Sequence, residues 1–412
     1  MAAPVNPPRG MRDILPAEKV KRERALAVIR RVYRTHGFDE IETPALEDVA
    51  RLHSGIGGDN EKLAYSVLQR GLAADDLRAA ADAGDVLALA DLGLRYDLTV
   101  PLARFAASNR GALPPVFRAL QIGPVWRAER PQKGRYRQFV QCDIDVLGEA
   151  GPLAELELLA ATADALAALG LREITVRLND RRILTRLLST WGIGADQAGS
   201  ALIIIDKLDK IGVAGVVAEL ADAGVATAGL AEQFEQLATA DWSLLQQPPL
   251  WLDTDAYAHL LALRDALPQS EVVFDPTLVR GMGYYTGTIF ELAHPGSGSS
   301  VAGGGRYDGM IGRFQDQQVP AVGFSIGFER IIDLLPDEPD ESSAVALLYD
   351  ADVPDAVLLA EKRALVAAGT RVRLERTRKN RRAQLEALTA DGFTRFEVVT
   401  ADGAGDLRPL DA

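Results

Sequence analysis

Cysteine is almost missing from this 412-residue chain: Cys142 stands alone, so neither an internal disulfide framework nor a cysteine-built zinc site can form. Histidine is nearly as scarce. His36, His53, His259 and His294 are too scattered to supply a helical pair of metal ligands, and no resident metal is expected. Long apolar runs are also lacking. Stretches such as Ala201 to Ile205 fall far short of the roughly 20 residues that a membrane span takes. Met1-Ala2-Ala3-Pro4-Val5-Asn6-Pro7-Pro8 has no basic segment feeding an apolar one, and a cytoplasmic protein without membrane association is expected. Basic residues are in deficit, 45 against 58 acidic ones, for a formal charge of −13 and a pI near 5.0. That balance argues against a protein that coats nucleic acid through charge alone. The G-x-x-x-x-G-K-S/T phosphate loop is absent, and Gly303-Gly304-Gly305 lacks the strand-to-helix setting of a dinucleotide-binding turn. If a nucleotide binds, arginines must hold it.

What is present is an ordinary globular composition, 48% apolar and 25% charged, with chain enough for two to four domains at about 100–200 residues each. Ala17 to His36 predicts an amphipathic helix stopped by Gly37, and Phe38 to Pro44 alternates like a strand. The Ala/Asp-rich stretch from Tyr65 to Ala90 predicts helical connecting structure, and Leu92 to Asp97 a short extended segment. Phe117 to Pro124 and Val140 to Gly148 predict two strands, Pro152 to Leu169 a helix, Glu173 to Leu178 a strand, and Arg181 to about Leu267 a helical region. Strands return at Glu271 to Phe274 and Tyr284 to Leu292, and Ala321 to Leu335 reads as a strand entering a helix. The fold class is therefore α+β: an antiparallel sheet with flanking helices and a helical insertion at about 181–267. Residues 336–343 have linker composition. Beyond them, Ala344 to Leu348, Pro354 to Ala368, Arg371 to Glu375, Arg378 to Leu388 and Thr394 to Thr400 alternate strand and helix, giving a small α/β domain over 344–412 with a parallel sheet.

Two basic runs stand out against the acidic background. Arg127 to Arg137 carries five basic residues and one acid, with Pro131 and Gly134 marking a loop between strands; Arg371 to Arg382 carries seven and one. A charge run is ordinarily a solvated face. Arginine forks on a loop between strands can also clamp a triphosphate. Leu278-Val279-Arg280-Gly281-Met282-Gly283-Tyr284-Tyr285-Thr286-Gly287 and Gly327-Phe328-Glu329-Arg330 each place a further arginine where a plain strand bulge or a surface helix start would serve as well.

In their order along the chain, these segments resemble histidyl-tRNA synthetase, a class II aminoacyl-tRNA synthetase family, from Gly10-Met11-Arg12-Asp13 to about Leu335. The helix before Gly37 with Phe38 to Pro44 resembles class motif 1. Val125-Trp126-Arg127-Ala128-Glu129-Arg130 through Gln138-Phe139 resembles motif 2, and Gly323-Phe324-Ser325-Ile326-Gly327-Phe328-Glu329-Arg330 motif 3. Leu278 to Thr286 and Gly304-Gly305-Arg306-Tyr307-Asp308-Gly309 are similar to the histidine-specific signatures. The resemblance implies a six-stranded antiparallel catalytic sheet, a homodimer, and a two-step reaction: histidine and ATP give histidyl-adenylate, and the acyl group then moves to histidine tRNA. It also implies roles. Arg127 would hold the α-phosphate and Arg330 the γ-phosphate, with Glu129, Arg135 and Phe139 completing the ATP contacts and Mg²⁺ bridging phosphates. Arg280 would meet the α-phosphate from the other side and would also contact the histidine. Asp97, Thr99 and Gln141 would take the substrate's α-amino group, while Asp145, Tyr284, Tyr285 and Tyr307 would surround the imidazole. Arg371, Arg373, Arg378, Lys379, Arg381 and Arg382 would meet tRNA.

Three departures from the family pattern stand out. Gly283 occupies a position that is often acidic; Asp97 and Asp145 stand where many bacterial members have glutamate and, with Lys207-Leu208-Asp209-Lys210, look more like the eukaryote-like branch; and the anticodon-binding-like domain is short. The rival readings are the histidine-binding regulatory subunit of ATP phosphoribosyltransferase, which needs no ATP clamp, and an adenylating enzyme or amino-acid sensor that uses no tRNA. Function is argued from the site rather than from a shared fold.

Overall fold

A computed structural model describes residues 5–56, 63–132, 134–279, 283–337 and 344–410. In chain order the elements are α1 (Pro16–Thr35), β1 (Asp39–Glu40), β2 (Leu46–Asp48), α2 (Val49–Ile56), β3 (Tyr65–Leu68), α3 (Ala74–Ala83), β4 (Ala90–Leu94), α4 (Thr99–Ser108), β5 (Phe117–Trp126), β6 (Gln138–Leu147), α5 (Leu153–Ala168) and β7 (Thr175–Asp180). Next come the helices α6 (Arg181–Thr190), α7 (Ala195–Ile205), α8 (Leu208–Asp222), α9 (Leu230–Ala238) and α10 (Thr254–Asp265), then β8 (Glu271–Phe274), β9 (Thr288–Ala293), β10 (Ala302–Arg306), β11 (Ala321–Gly327) and α11 (Phe328–Leu334). The remainder is β12 (Ala344–Tyr349), α12 (Asp355–Ala367), β13 (Arg371–Arg376), α13 (Arg381–Ala390), β14 (Arg395–Thr400), β15 (Gly403–Ala404) and β16 (Arg408–Pro409). The described residues form two compact units: one runs to Asp13 and resumes over Ala25–Leu335, the other takes Ile14–Arg24 and the residues from Pro336 onward. The second unit thus includes a stretch that the sequence reading kept with the first, and within it Lys21 pairs with Asp337 at 2.8 Å.

The first unit is built on an eight-stranded sheet in the order β1-β5-β6-β11-β10-β9-β7-β8. Its inner six strands are all antiparallel, as expected, and each edge adds a parallel strand, β1 on β5 and β8 on β7. Strand β6 shows how sequence produces the layer. Successive side chains point to opposite faces, so Cys142, Ile144 and Val146 enter the apolar core with Leu158, Ala161 and Ala165 of α5. Full burial of a side chain such as Ile144 or Leu158 contributes roughly 1.5–3 kcal/mol. Gln141, Asp143 and Asp145 are left on the other face. Beneath α5 a buried ion pair, Arg306 to Glu155 at 2.7 and 2.8 Å, ties the end of β10 to the helix. Helices α6 to α9 bury their own cluster, including Leu188, Trp191, Leu202, Leu220 and Phe234.

Four stretches differ from the sequence expectation. Of Phe38 to Pro44 only Asp39–Glu40 pairs, against Ala119 and Leu120, because the segment has a single neighbour and Pro44 has no N–H to give. Tyr65 to Ala90 holds α3 but also β3, which pairs with β4 and, through it, with β2 in a three-stranded antiparallel sheet. The strand expected from Tyr284 begins at Thr288, and the glycine run is strand β10. In the second unit β13, β12 and β14 are parallel, with Leu358 of α12 and Leu388 of α13 in separate apolar clusters built from alternate residues of β12. Two short strands, β15 and β16, add to β14 antiparallel; the sequence reading ended the sheet at three.

Candidate active site

The polar face of β6 floors a cavity of about 1240 Å³ in the first unit. Opposite Gln141, Asp143 and Asp145, strand β11 places Gly327, Ser325 and Gly323. The glycine at 323 is a steric requirement. A Cβ there would lie 2.0 Å from an Asp145 carboxylate oxygen and 3.0 Å from the Tyr307 ring, so the carboxylate occupies the space that any other residue would fill. Tyr307 donates its hydroxyl to Asp145 at 2.5 Å. Tyr284 and Tyr285 meet edge to face with centroids 4.9 Å apart, and Tyr284 and Tyr307 do so at 5.9 Å, making an aromatic wall beside the carboxylate.

Three buried carboxylates, Asp97, Asp143 and Asp145, line this cavity. Burial pushes the Asp145 pKa up to about 7; the Tyr307 hydrogen bond opposes the rise and the charge of Asp97 adds to it. Burial also drives Asp143 well upward, with Asp145 reinforcing the shift. Asp97 is raised by burial against the pull of the Val100 backbone N–H, 3.1 Å away, and of Arg127; Tyr284 lies at 3.5 Å as a weak donor. A group of buried acids whose pKa values burial raises is a receptor for a cation or for N–H donors, since such a partner relieves the cost of the charged form. Gln141 points the same way. Its amide N–H groups are spent on Asp143 at 3.3 and 3.4 Å and on Ser325 Oγ at 3.0 Å, while its buried Oε1 has no hydrogen-bond partner among the described residues. An orphaned buried acceptor calls for a donor.

Cations line the cavity as well. Arg127 donates its Nε to the Tyr96 carbonyl at 3.1 Å and stacks over the Tyr96 and Phe139 rings, 4.3 and 5.1 Å from their centroids, so its planar fork is already oriented. Arg135 pairs with Glu129 at 3.3 Å, and Arg330 donates to the Ser300 carbonyl and hydroxyl. Arg127, Glu129, Arg135 and Arg330 all face the same cavity as Asp97, Thr99, Gln141, Asp145 and the three tyrosines. Phe139 does not line it and instead carries the Arg127 fork on its ring. Arg280 lies outside the described residues.

Sequence reasoning missed Asp143, and Ser325 as a site residue. The signal was there: Gln141, Asp143 and Asp145 are polar at every second position of an otherwise apolar strand, a pattern that puts them on one face. Reading single motif positions hid it. The helical insertion also contributes, with Lys207, Asp209 and Lys210 lining the cavity and Asp209 paired to Arg177 at 3.2 Å.

The basic run at 371–382 belongs to the second unit. Arg371 and Arg373 stack on Phe393 with 4.6 and 4.5 Å to its centroid, Arg373 also pairs with Asp391 at 2.7 Å, and Arg381 stands over Phe396 at 5.6 Å. Arg382 pairs with Glu386 at 2.9 Å, Arg378 lies 3.7 Å from Glu375, and Lys379 is exposed.

A six-stranded antiparallel floor, with an oriented arginine at the end of one strand and another at the start of the helix after β11, is the fold of class II aminoacyl-tRNA synthetases. The structure of histidyl-tRNA synthetase from Nostoc sp. PCC 7120 is similar with a TM-score of 0.73 at 27% identity, over 97% of this chain and 93% of that one. A structure described as an ATP phosphoribosyltransferase regulatory subunit/histidyl-tRNA synthetase from Bacillus halodurans C also reaches 0.73, at 21% identity over 97% and 98%, and shares the fold. The profile of the family described as histidyl-tRNA synthetase matches residues 10–331. A histidine--tRNA ligase of Leifsonia xyli subsp. xyli is 61% identical over 100% of this chain and 99% of its own length, and one of Aeropyrum pernix is 41% identical over 79% and 73%. The chain belongs to the histidyl-tRNA synthetase family.

Proposed function

We propose that this protein is a histidine--tRNA ligase that activates histidine with ATP and transfers it to histidine tRNA. One observation carries the reading: the buried Asp145–Tyr307 pair, the orphaned Gln141 acceptor and the stacked Arg127 fork all face a single cavity. In this reading Asp145 accepts an imidazole N–H with Tyr307 fixing its carboxylate, and Tyr284 and Tyr285 flank the ring. Asp97, Thr99 and the Gln141 carbonyl take the α-ammonium. A site built to pair a polar side chain rejects apolar isosteres by leaving its own buried groups unpaired. A carboxylate oxygen of histidine then attacks the α-phosphorus, the bond to the bridging oxygen breaks, and pyrophosphate leaves with the electron pair. Arg127, together with Arg280, meets the negative charge that builds on the non-bridging oxygens, where fixed cations lower the barrier most. Arg330 holds the γ-phosphate of the leaving group. In the second step a terminal ribose hydroxyl of the tRNA attacks the acyl carbon and AMP departs.

Magnesium accompanies ATP in this proposal. No group of three or more Asp, Glu, His or Cys side chains gathers to hold an ion among the described residues; magnesium bound with ATP would be ligated mainly by phosphates and water, with one or two carboxylates. Glu129, two residues from Arg127 and lining the cavity, would be the carboxylate to join them. A homodimer, a cytoplasmic site of action, tRNA contacts from the second unit, and the eukaryote-like placement suggested by Asp97 and Asp145 belong to the same proposal. No helix among the described residues is long and apolar enough to cross a membrane. The test is charging of histidine tRNA by the purified protein with ATP. Charged tRNA is expected; histidine binding with no charging and no adenylate would favour the regulatory-subunit reading.

A further inference from the structure

The mechanism leaves the segment before α1 unused, yet two of its residues touch three parts of the ATP clamp. Gly10 accepts the backbone N–H of Arg137 at 2.8 Å, and Arg137 in turn closes the base of the 127–137 loop by accepting from Arg127 N–H at 3.0 Å. The approach at Gly10 is tight. Its φ is +81°, and a Cβ there would stand 2.7 Å from the Pro131 ring and 2.9 Å from the Arg137 side chain. Arg12 stacks on Tyr136 of the same loop, 4.4 Å from the ring centroid. Its Nη2 also donates to Glu329 at 2.6 Å. Glu329 is a buried carboxylate whose other oxygen accepts the Val140 N–H of β6 at 3.2 Å, and the next residue in α11 is Arg330.

We propose that Arg12 is a positioning residue for adenylate formation: its guanidinium ties the return limb of the 127–137 loop to the start of α11, and so sets the separation at which Arg127 and Arg330 meet the nucleotide. The inference rests on the proposed roles of those two arginines. Arg12 does not line the cavity, so it acts through its neighbours and touches no substrate. Its one planar fork does two tasks, a stack on the loop and a charge-assisted bond to a buried acid, which lysine can only half reproduce. Removing it takes a cation from a buried carboxylate one residue before Arg330 and loosens the loop that carries Arg127. Displacements of about 1 Å in such a clamp can cost up to a hundredfold in rate.

The experiment uses the full chain, with Arg12→Ala and Arg12→Lys compared with the parent in histidine-dependent ATP–pyrophosphate exchange, and histidine affinity followed by calorimetry. Arg12→Ala is expected to raise the KM for ATP about tenfold and lower kcat, with histidine affinity within about twofold of the parent; Arg12→Lys should recover part of the ATP KM by keeping the charge beside Glu329. A merely structural role would lower the melting temperature and leave the ATP KM of folded enzyme unchanged. That result overturns the proposal. If Arg12→Ala does not fold, Arg12→Lys decides, by a raised ATP KM in favour or a parental one against. A parent protein without exchange overturns the functional reading and this inference with it, whereas parental exchange that ignores Arg12 overturns the positioning role alone.

Discussion

Replacing Asp145 by asparagine should separate the stability of the fold from its function. The carboxylate is 3% exposed, and burial lifts its pKa from the usual 3.8 to about 7. A raised acid pKa means that, between these two values, the folded state holds the proton while the unfolded chain has already released it. The parent therefore loses stability as pH rises from about 4 to about 7, and above that the whole cost of the buried charge is in place. At about 1.36 kcal/mol per pKa unit, that cost reaches about 4 kcal/mol. An amide in place of the carboxyl has no proton to lose and can still accept the Tyr307 hydroxyl. The Asp145→Asn protein should accordingly match the parent near pH 4.5 and become the more stable of the two, by up to about 4 kcal/mol, at about pH 8. Its histidine affinity should fall at the same time, because the proposed partner of the imidazole N–H loses its charge; a charge-assisted hydrogen bond of about 1.5–3 kcal/mol corresponds to roughly 10- to 150-fold. Urea denaturation of both proteins across this pH range, with histidine calorimetry at the upper end, measures both effects. Parallel stability curves together with equal histidine affinity would refute the reasoning and take Asp145 out of histidine recognition.

Three further outcomes follow from the geometry. Gly323→Ala drives a methyl group into the Asp145 carboxylate, so histidine binding should drop at least about tenfold while ATP binding is retained, as calorimetry with each ligand would show. Arg127→Lys keeps the charge but loses the stacking on Tyr96 and Phe139, and exchange should slow about a hundredfold with histidine affinity unchanged; an unaltered rate would take the α-phosphate away from Arg127. Lys379→Glu combined with Arg382→Glu should raise the KM for histidine tRNA and flatten its salt dependence without altering exchange, and equal charging kinetics at all salt concentrations would make that run a solvated face.

The parts of this protein that sequence made legible are those whose signal is local. Strand β6 lies close to its expected bounds because apolar and polar side chains alternate from Val140 to Val146, and α5 does so because a run of Ala and Leu needs only one face of the sheet. Strands that depend on a neighbour were harder. Ala302–Arg306 is built around Gly303, Gly304 and Gly305, and its strand character comes from β9 and β11 on either side. Tyr65–Leu68 was hidden by the helical composition that follows it, and Gly403–Ala404 and Arg408–Pro409 are too short to carry a period. The site divides in the same way. Arg127, Arg135, Arg330 and Asp145, which share the cavity, were picked out through motifs, but the clamp of Asp143 and Ser325 on Gln141 depends on register between β6 and β11, and the tie from Arg12 to Glu329 spans 317 residues of sequence.

The central claim is that one cavity brings histidine and ATP together for adenylate formation, and the most direct measurement is exchange of labelled pyrophosphate into ATP by the purified protein, run with each amino acid in turn. The account predicts exchange with histidine and none above background with the others, lost in Arg127→Ala. Exchange that ignores histidine, or no exchange from folded protein that binds histidine, would contradict it.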